Sequence, residues 1–136
     1  MQHKSFVYLL STLLTLSALL KAVNIYSFSS ETQLYIEAYM PIQFVTFHVE
    51  ASIIICSMEL LAALFITSRD FILSGSVLSF FLLSFFLYLT GINIFKPSEY
   101  GSIESCGCFG ELIHFSPKTS FIKTFFIWLL SFLIIL

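Results

Sequence analysis

The amino-acid sequence predicts an all-α integral membrane protein, an up-and-down bundle of four helices, on three observations. Of its 136 residues, 58% are hydrophobic and only 10% are charged, and the mean hydropathy is +0.98, far from the values of soluble domains. Four apolar runs approach or exceed the roughly 18 residues that a helix needs to cross a bilayer. These runs are too long for barrel strands, and open sheet edges cannot face lipid, so the spans are expected to be helices.

The predicted spans cover residues 5–26, 51–67, 71–95 and 119–136, within a single transmembrane domain. The first run is too long for a signal peptide and lacks a small-residue cleavage site, so we expect it to be retained. Only Ser68, Arg69 and Asp70 separate the second and third spans, which forces an antiparallel hairpin. Two longer connections, residues 27–49 and 96–118, then emerge together at the opposite end, where we expect the function to lie.

The charges do not orient the chain in the bilayer, because Lys4 and Arg69 at one face balance Lys96 and Lys118 at the other. The net charge of −2 provides no basic surface of the kind that binds nucleic acid. Cysteine chemistry favours an oxidising compartment for the long connections. We therefore expect a bacterial inner-membrane protein, with the lipid bilayer around it and the cysteine loop outside the cytoplasm.

The first long connection contains a helical pattern at residues 30–41. There Leu34, Tyr35, Ile36 and Tyr39 recur among polar residues at spacings that suit a short amphipathic helix. Tyrosines are typical of the membrane interface, so we expect this helix to lie there. It either seals the bundle or shapes a ligand entrance.

Reactive chemistry is concentrated in one polar segment before the last span. The segment reads Cys106-Gly107-Cys108-Phe109-Gly110-Glu111. A glycine between two cysteines tolerates the backbone angles of a small disulfide ring, and strain makes such a bond easy to reduce. Cys106 and Cys108 are therefore candidate catalytic residues of a thiol–disulfide oxidoreductase. Alternatively, the pair forms a structural disulfide that only fixes the loop, or both thiols remain free.

Cationic side chains follow the cysteine pair in the sequence. His114, Lys118 and Lys123 can favour the thiolate, which is the nucleophile in disulfide exchange. An alternative hypothesis is that the two cysteines and His114 bind a metal ion. Only His48 or Glu111 is available to complete such a site, and no second ligand cluster is recognisable, so we assign no metal.

Glu59 is expected near the middle of the second span, where an ionised carboxylate is costly and is usually paired or protonated. Lys21, near the end of the first span, is its predicted partner, and Glu50 competes for that lysine nearer the surface. Alternatively, the carboxyl group of Glu59 is protonated and the residue serves only in helix packing. Cys56 lies one turn before Glu59 on the same helix face. It either fills space as a small apolar residue or takes part in the chemistry of the site.

Aromatic residues are dense in the third and fourth spans. Examples are Phe80-Phe81, Phe85-Phe86 and Phe125-Phe126-Ile127-Trp128. Most of these rings are expected to contact lipid. They also offer the lining of a quinone pocket, and a quinone is the candidate cofactor.

Four features occur in a characteristic order along the chain. The first span ends near Lys21, an amphipathic loop runs into Tyr39-Met40-Pro41, the second span carries Glu59, and residues 106–111 precede the last span. This order resembles the MauE branch of the MauE/DoxX redox-associated membrane proteins. The resemblance covers essentially the whole chain, and its specificity rests on residues 106–111.

The resemblance implies a four-helix membrane protein that is linked, in the founding members, to methylamine utilisation. There it supports maturation or disulfide formation of a periplasmic quinoprotein dehydrogenase subunit. It indicates thiol–disulfide exchange or electron transfer with a thioredoxin-like or other extracytoplasmic redox protein, rather than one physiological substrate. The plan is similar to that of vitamin K epoxide reductase enzymes, but this chain has Cys-x-Cys and no second pair of loop cysteines. A non-catalytic scaffold or assembly subunit is the competing class.

Overall fold

The structure is a computed structural model that describes residues 2–95 and 117–136. Within those ranges it contains helices and no strand, which confirms the all-α prediction. The helices are α1 (Gln2–Val23), α2 (Ile25–Tyr39), α3 (His48–Thr67), α4 (Ile72–Phe95) and α5 (Pro117–Ile135), with a 3₁₀ helix (Ile42–Phe47) before α3.

Four segments of the described chain are long and apolar enough to cross a membrane. They are Lys4–Val23, Ile42–Thr67, Ile72–Phe95 and Lys118–Ile135. The predicted four-helix membrane bundle is therefore confirmed, with two differences at its boundaries. The second apolar segment starts earlier than predicted because the 3₁₀ helix continues into α3, and the first helix ends three residues earlier than the predicted limit of 26.

The four long helices alternate in direction. Ser11, in the first half of α1, donates a hydrogen bond of 3.1 Å to the carbonyl oxygen of Ala63, near the end of α3, so these two helices are antiparallel. Ser131, near the end of α5, donates to the carbonyl oxygen of Ser76, near the start of α4, at 3.1 Å. The apolar core between the helices includes Leu10, Leu14, Ala62, Ala63, Ile66, Leu82 and Leu83.

The predicted hairpin between α3 and α4 is present and is unusually close. The amide of Phe71 donates to the carbonyl oxygen of Ser68 at 3.0 Å, which closes the turn. At Gly75 a β-carbon would lie 2.6 Å from the backbone nitrogen of Ile66. Only glycine permits this approach, because the obstructing atom belongs to the backbone.

The two ends of the bundle differ in what they carry. Lys4 at the start of α1 shares a cleft with Ile66 and Arg69 at the α3–α4 turn. Helix α2, the end of α4 and the start of α5 lie at the other end, which we call the loop end. Gly91 of α4 faces Phe121 of α5 there, with a projected β-carbon distance of 3.6 Å.

The first long connection is more helical than predicted. Helix α1 ends at Val23, and the backbone angles of Asn24, φ −113° and ψ 49°, leave the helical region. The carbonyl oxygen of Asn24 nevertheless accepts a hydrogen bond of 3.0 Å from the amide of Phe28. The chain therefore bends and starts α2 at once, so the expected short amphipathic helix is the later part of a 15-residue helix.

One face of α2 packs against the bundle. Phe28, Glu31, Tyr35 and Ile36 are buried at helical spacing, and Thr32 accepts a 2.9 Å hydrogen bond from Ser52 of α3. Of the residues predicted to form the apolar stripe, Tyr35 and Ile36 are buried, but half of Leu34 is exposed. The difference arises because the buried stripe starts at Phe28 and is rotated from the one predicted.

We predict that Gly75→Ala destabilises the protein, because the new methyl group would meet the backbone of Ile66. Overpacking of this kind costs about 1–3 kcal/mol. The control is Gly91→Ala, which makes the same change in the same helix where the nearest outside atom is at ordinary contact distance. The measurement is the free energy of unfolding in mixed micelles, and equal stability of the two variants would contradict the close approach.

Candidate functional site

The centre of the candidate site is an ion pair inside the bundle. Lys21, in the last turn of α1, places its Nζ 2.7 Å from Oε1 of Glu59, in the middle of α3. The side chains are 0% and 3% exposed. The pairing predicted from the sequence is therefore present in the structure. Glu50, the competing partner, is exposed.

Two aromatic rings cover the ammonium group of Lys21. Its Nζ lies 4.4 Å from the ring centre of Phe86 on α4 and 5.2 Å from that of Phe28 on α2. Both distances suit cation–π attraction. The lysine thus makes favourable contacts with three helices besides its own.

A small cavity of about 20 Å³ adjoins Glu59. Its polar lining consists of Glu59, Ser17 of α1, and Lys123 and Thr124 of α5. This volume is close to the minimum that holds one water molecule. Oε2 of Glu59 is buried and has no hydrogen-bond partner among the described residues. A single water in the cavity would give α5 a polar route to the ion pair.

Sequence reasoning named Lys123 as a cation that can favour the cysteine thiolate but did not connect it to Glu59. The signal available was its position one and a half turns into the last apolar run, where a lysine is costly unless it faces protein or water. Its neighbours in the structure, Thr124 and Ser120, are buried. A polar face on α5 therefore marks the side that meets the bundle interior.

Cys56 lies in the interior of the bundle. It is 9% exposed and shares a buried face of α3 with Glu59. It is the only free cysteine in the part of the chain that the structure describes. Its packing fits a small apolar filler beside the ion pair.

The candidate catalytic and motif residues lie outside the described residues. These are Cys106, Gly107, Cys108, Phe109, Gly110, Glu111 and His114. The described helices flank them on both sides, since α4 ends at Phe95 and α5 begins at Pro117. Both of these points belong to the loop end of the bundle, where Lys21 and α2 also lie.

Within residues 2–95 and 117–136, no group of three potential metal ligands comes together. His48, named as a possible further ligand, lies at the start of α3. Its Nδ1 is 2.7 Å from the carbonyl oxygen of Val45. Since a carbonyl oxygen only accepts, Nδ1 carries the proton in this contact.

The aromatic runs divide into two groups. The ring of Phe80 of α4 packs at a tilt against those of Trp128 and Phe132 of α5, and Trp128 donates a 2.8 Å hydrogen bond to Ser84. This group joins two helices. Phe85 and Phe86 instead line a cavity of about 180 Å³ between α2, the 3₁₀ helix, α3 and α4.

Four apolar helices around a buried ion pair define a polytopic helical membrane protein. A protein-family model described as Methylamine utilisation protein MauE matches residues 4–136, and the chain belongs to this family. The resemblance noted in the sequence is therefore confirmed over nearly the whole chain. Neither a curated protein nor a solved structure matches the chain.

We predict that Lys21 and Glu59 are energetically coupled. Either Lys21→Met or Glu59→Gln alone leaves an uncompensated group in a buried site, which costs about 3–5 kcal/mol when a buried pair is broken. The double variant is expected to lose less stability than the sum of the two single variants. The measurement is the free energy of unfolding of all four proteins in mixed micelles.

The control for this cycle is Glu37→Gln. Glu37 is exposed on α2, where it accepts a 2.7 Å hydrogen bond from Gln33. Its neutralisation is expected to change stability by no more than about 0.5 kcal/mol. If the losses in free energy of unfolding caused by the Lys21 and Glu59 substitutions are strictly additive, the two residues are not coupled.

Proposed function

We propose that this protein is a membrane-embedded thiol–disulfide oxidoreductase that serves an extracytoplasmic redox partner through Cys106 and Cys108. The two thiols are oxidised to one disulfide, or the disulfide is reduced to two thiols, with two electrons and two protons exchanged in either direction. A thioredoxin-like protein or a related redox protein is the proposed partner. The observation that carries the proposal is the buried ion pair inside the bundle, whose Lys21 lies in the last turn of α1, toward the end of the bundle to which the cysteine segment connects.

The cysteine pair itself supports redox chemistry over a structural role. A disulfide stabilises a fold mainly by restraining the unfolded chain, and the effect grows with the length of the closed loop. A ring closed over Gly107 alone restrains very little. A strained ring is also more easily reduced than an ordinary structural disulfide. Both arguments favour a pair that is opened and closed in use.

The ion pair supports a role beyond anchoring the helices. Charged side chains inside a bilayer are rare and usually serve transport, proton transfer or ligand binding. Glu59 and Lys123 border a cavity with room for one water molecule, which suits the transfer of protons that accompanies thiol oxidation. The proposed role of Lys21 and Glu59 is therefore to support the redox reaction from within the membrane.

The proposed location is the bacterial inner membrane, with the loop end outside the cytoplasm. Disulfides form and persist in oxidising compartments, whereas cytoplasmic thiols are kept reduced. The start of α1 and the α3–α4 turn would then face the cytoplasm. In the competing proposal, a non-catalytic scaffold, the same loop docks a partner without changing its redox state.

We predict that Cys106 and Cys108 form a reversible disulfide with a reduction potential above about −300 mV, the value below which structural disulfides tend to fall. Cys106→Ser or Cys108→Ser should abolish function while the bundle remains folded. The measurement is mass spectrometry of alkylated protein across a glutathione or dithiothreitol redox series. Cys56→Ser is the matched control, because that thiol is buried among the helices, and it should leave the titration unchanged.

The outcomes of this titration separate the candidate functions. A disulfide that opens and closes within the series supports the oxidoreductase. Thiols that stay free under oxidising conditions would favour the scaffold, and a metal bound to both cysteines would favour a metal-binding loop.

We also predict that the loop end faces the exterior. In intact cells, a membrane-impermeant thiol reagent added after reduction should label Cys106 or Cys108. The assay is run in a Cys56→Ser background so that the loop thiols are the only targets. Labelling that appears only after the inner membrane is permeabilised would reverse the orientation.

A further inference from the structure

The cavity of about 180 Å³ at the loop end is lined almost entirely by apolar groups, many of them aromatic. The ring-bearing residues are Phe28 and Tyr35 of α2, Phe44 and Phe47 of the 3₁₀ helix, and Phe85 and Phe86 of α4. Flat rings on several sides suit a planar ligand, which they contact face-on or edge-on. The lining therefore favours a planar ring over a strongly polar molecule.

The size of the cavity matches one ring. An apolar protein cavity of about 150 Å³ is known to hold benzene. The present volume is slightly larger, so it takes a six-membered ring with small substituents, while any long tail must leave through the opening. A fused two-ring group would require α2 or the 3₁₀ helix to move.

The opening of the cavity is apolar and exposed. Among the lining residues, Phe44 and Phe47 are 52% and 58% exposed, whereas Phe28 and Phe86 are 4% and 3% exposed and form the floor. The exposed residues belong to the membrane-crossing segment Ile42–Thr67. The cavity thus opens where an apolar tail can remain in lipid.

Two buried residues of the lining, both on α2, carry polar groups. Glu31 and Tyr35 line the cavity and are only 5% and 7% exposed. A few polar groups within an apolar pocket orient a ligand that carries oxygen atoms. Behind the floor lies the ammonium group of Lys21, against the rings of Phe28 and Phe86. A saturated acyl chain would make no use of the polar groups.

We propose that this cavity binds the ring of a single-ring lipid quinone, with the tail leaving past Phe44 and Phe47. The inference rests on the proposed function, because thiol oxidation needs an electron acceptor. Oxidation of two thiols to a disulfide releases two electrons and two protons. Reduction of one quinone to its quinol takes up the same number, so the exchange balances without another reactant.

The test measures the binding of ubiquinone-1, a short-tailed benzoquinone, to the purified protein in lipid nanodiscs by equilibrium dialysis. Saturable binding at about one molecule per protein is expected. Ala51→Phe places a ring into the cavity from α3 and should weaken binding at least ten-fold. Ala38→Phe makes the same change at an exposed position of α2 outside the cavity and should leave binding unchanged.

Competition and labelling keep the result interpretable if Ala51→Phe fails to fold. Menadione, a two-ring quinone, should compete more weakly than ubiquinone-1, and oleate should not compete. A photoreactive benzoquinone should label peptides from α2 or the Phe85–Phe86 region. Equal binding to the Ala51 and Ala38 variants, effective competition by oleate, or labelling confined to the α4–α5 aromatic group would overturn the proposal.

The binding assay does not depend on the cysteines, so the two proposals fail separately. Repeated with Cys106→Ser and Cys108→Ser, it should give the same affinity for ubiquinone-1. If the quinone binds but the cysteines are inert in the redox series, the cavity stands and the thiol function fails. If the cysteines alternate between thiols and disulfide but no quinone binds, the thiol function stands and the proposed quinone site fails.

Discussion

The fold depends on one electrostatic constraint: Lys21 and Glu59 must meet inside the bundle. Moving an ion out of water costs several kcal/mol even after relaxation, and only close pairing with good geometry offsets that cost. The 2.7 Å contact satisfies this requirement and fixes the end of α1 against the middle of α3. Because Phe28 and Phe86 cover the same ammonium group, the position of α2 and the rotation of α4 are tied to it as well.

The rest of the bundle is held by close packing and by hydrogen bonds between helices, since lipid tails are as apolar as the residues that face them. Gly75 brings α4 against the backbone of α3. Serines then join neighbouring helices, as Ser11 does with α3 and Ser131 with α4. Such contacts specify which faces meet, while the outward faces remain free to contact lipid. The apolar cavity lies between α2, the 3₁₀ helix, α3 and α4.

Much of this arrangement could be predicted from local sequence. Run lengths identified the membrane helices, and the short polar turn after Thr67 required the hairpin. The cost of a lone charge in lipid predicted the partnership of Lys21 with Glu59. Other features depend on helix rotation, which neither hydropathy nor spacing determines in an apolar helix. For that reason the bend at Asn24, the buried face of α2 and the approach of Lys123 to Glu59 emerged only from the packed structure. The cysteine segment lies outside the described residues, so its chemistry stays a prediction from residue type and family.

The claim on which this account rests is that Lys21 and Glu59 face each other as ions within the membrane. Infrared difference spectroscopy of the wild-type protein against Glu59→Gln in lipid nanodiscs tests it directly, because an ionised carboxylate and a protonated carboxyl group absorb at different frequencies. The account predicts that the substitution removes the bands of an ionised carboxylate. Loss of the carbonyl band of a protonated carboxyl group instead would contradict it, since Glu59 would then be neutral and would offer Lys21 no opposite charge.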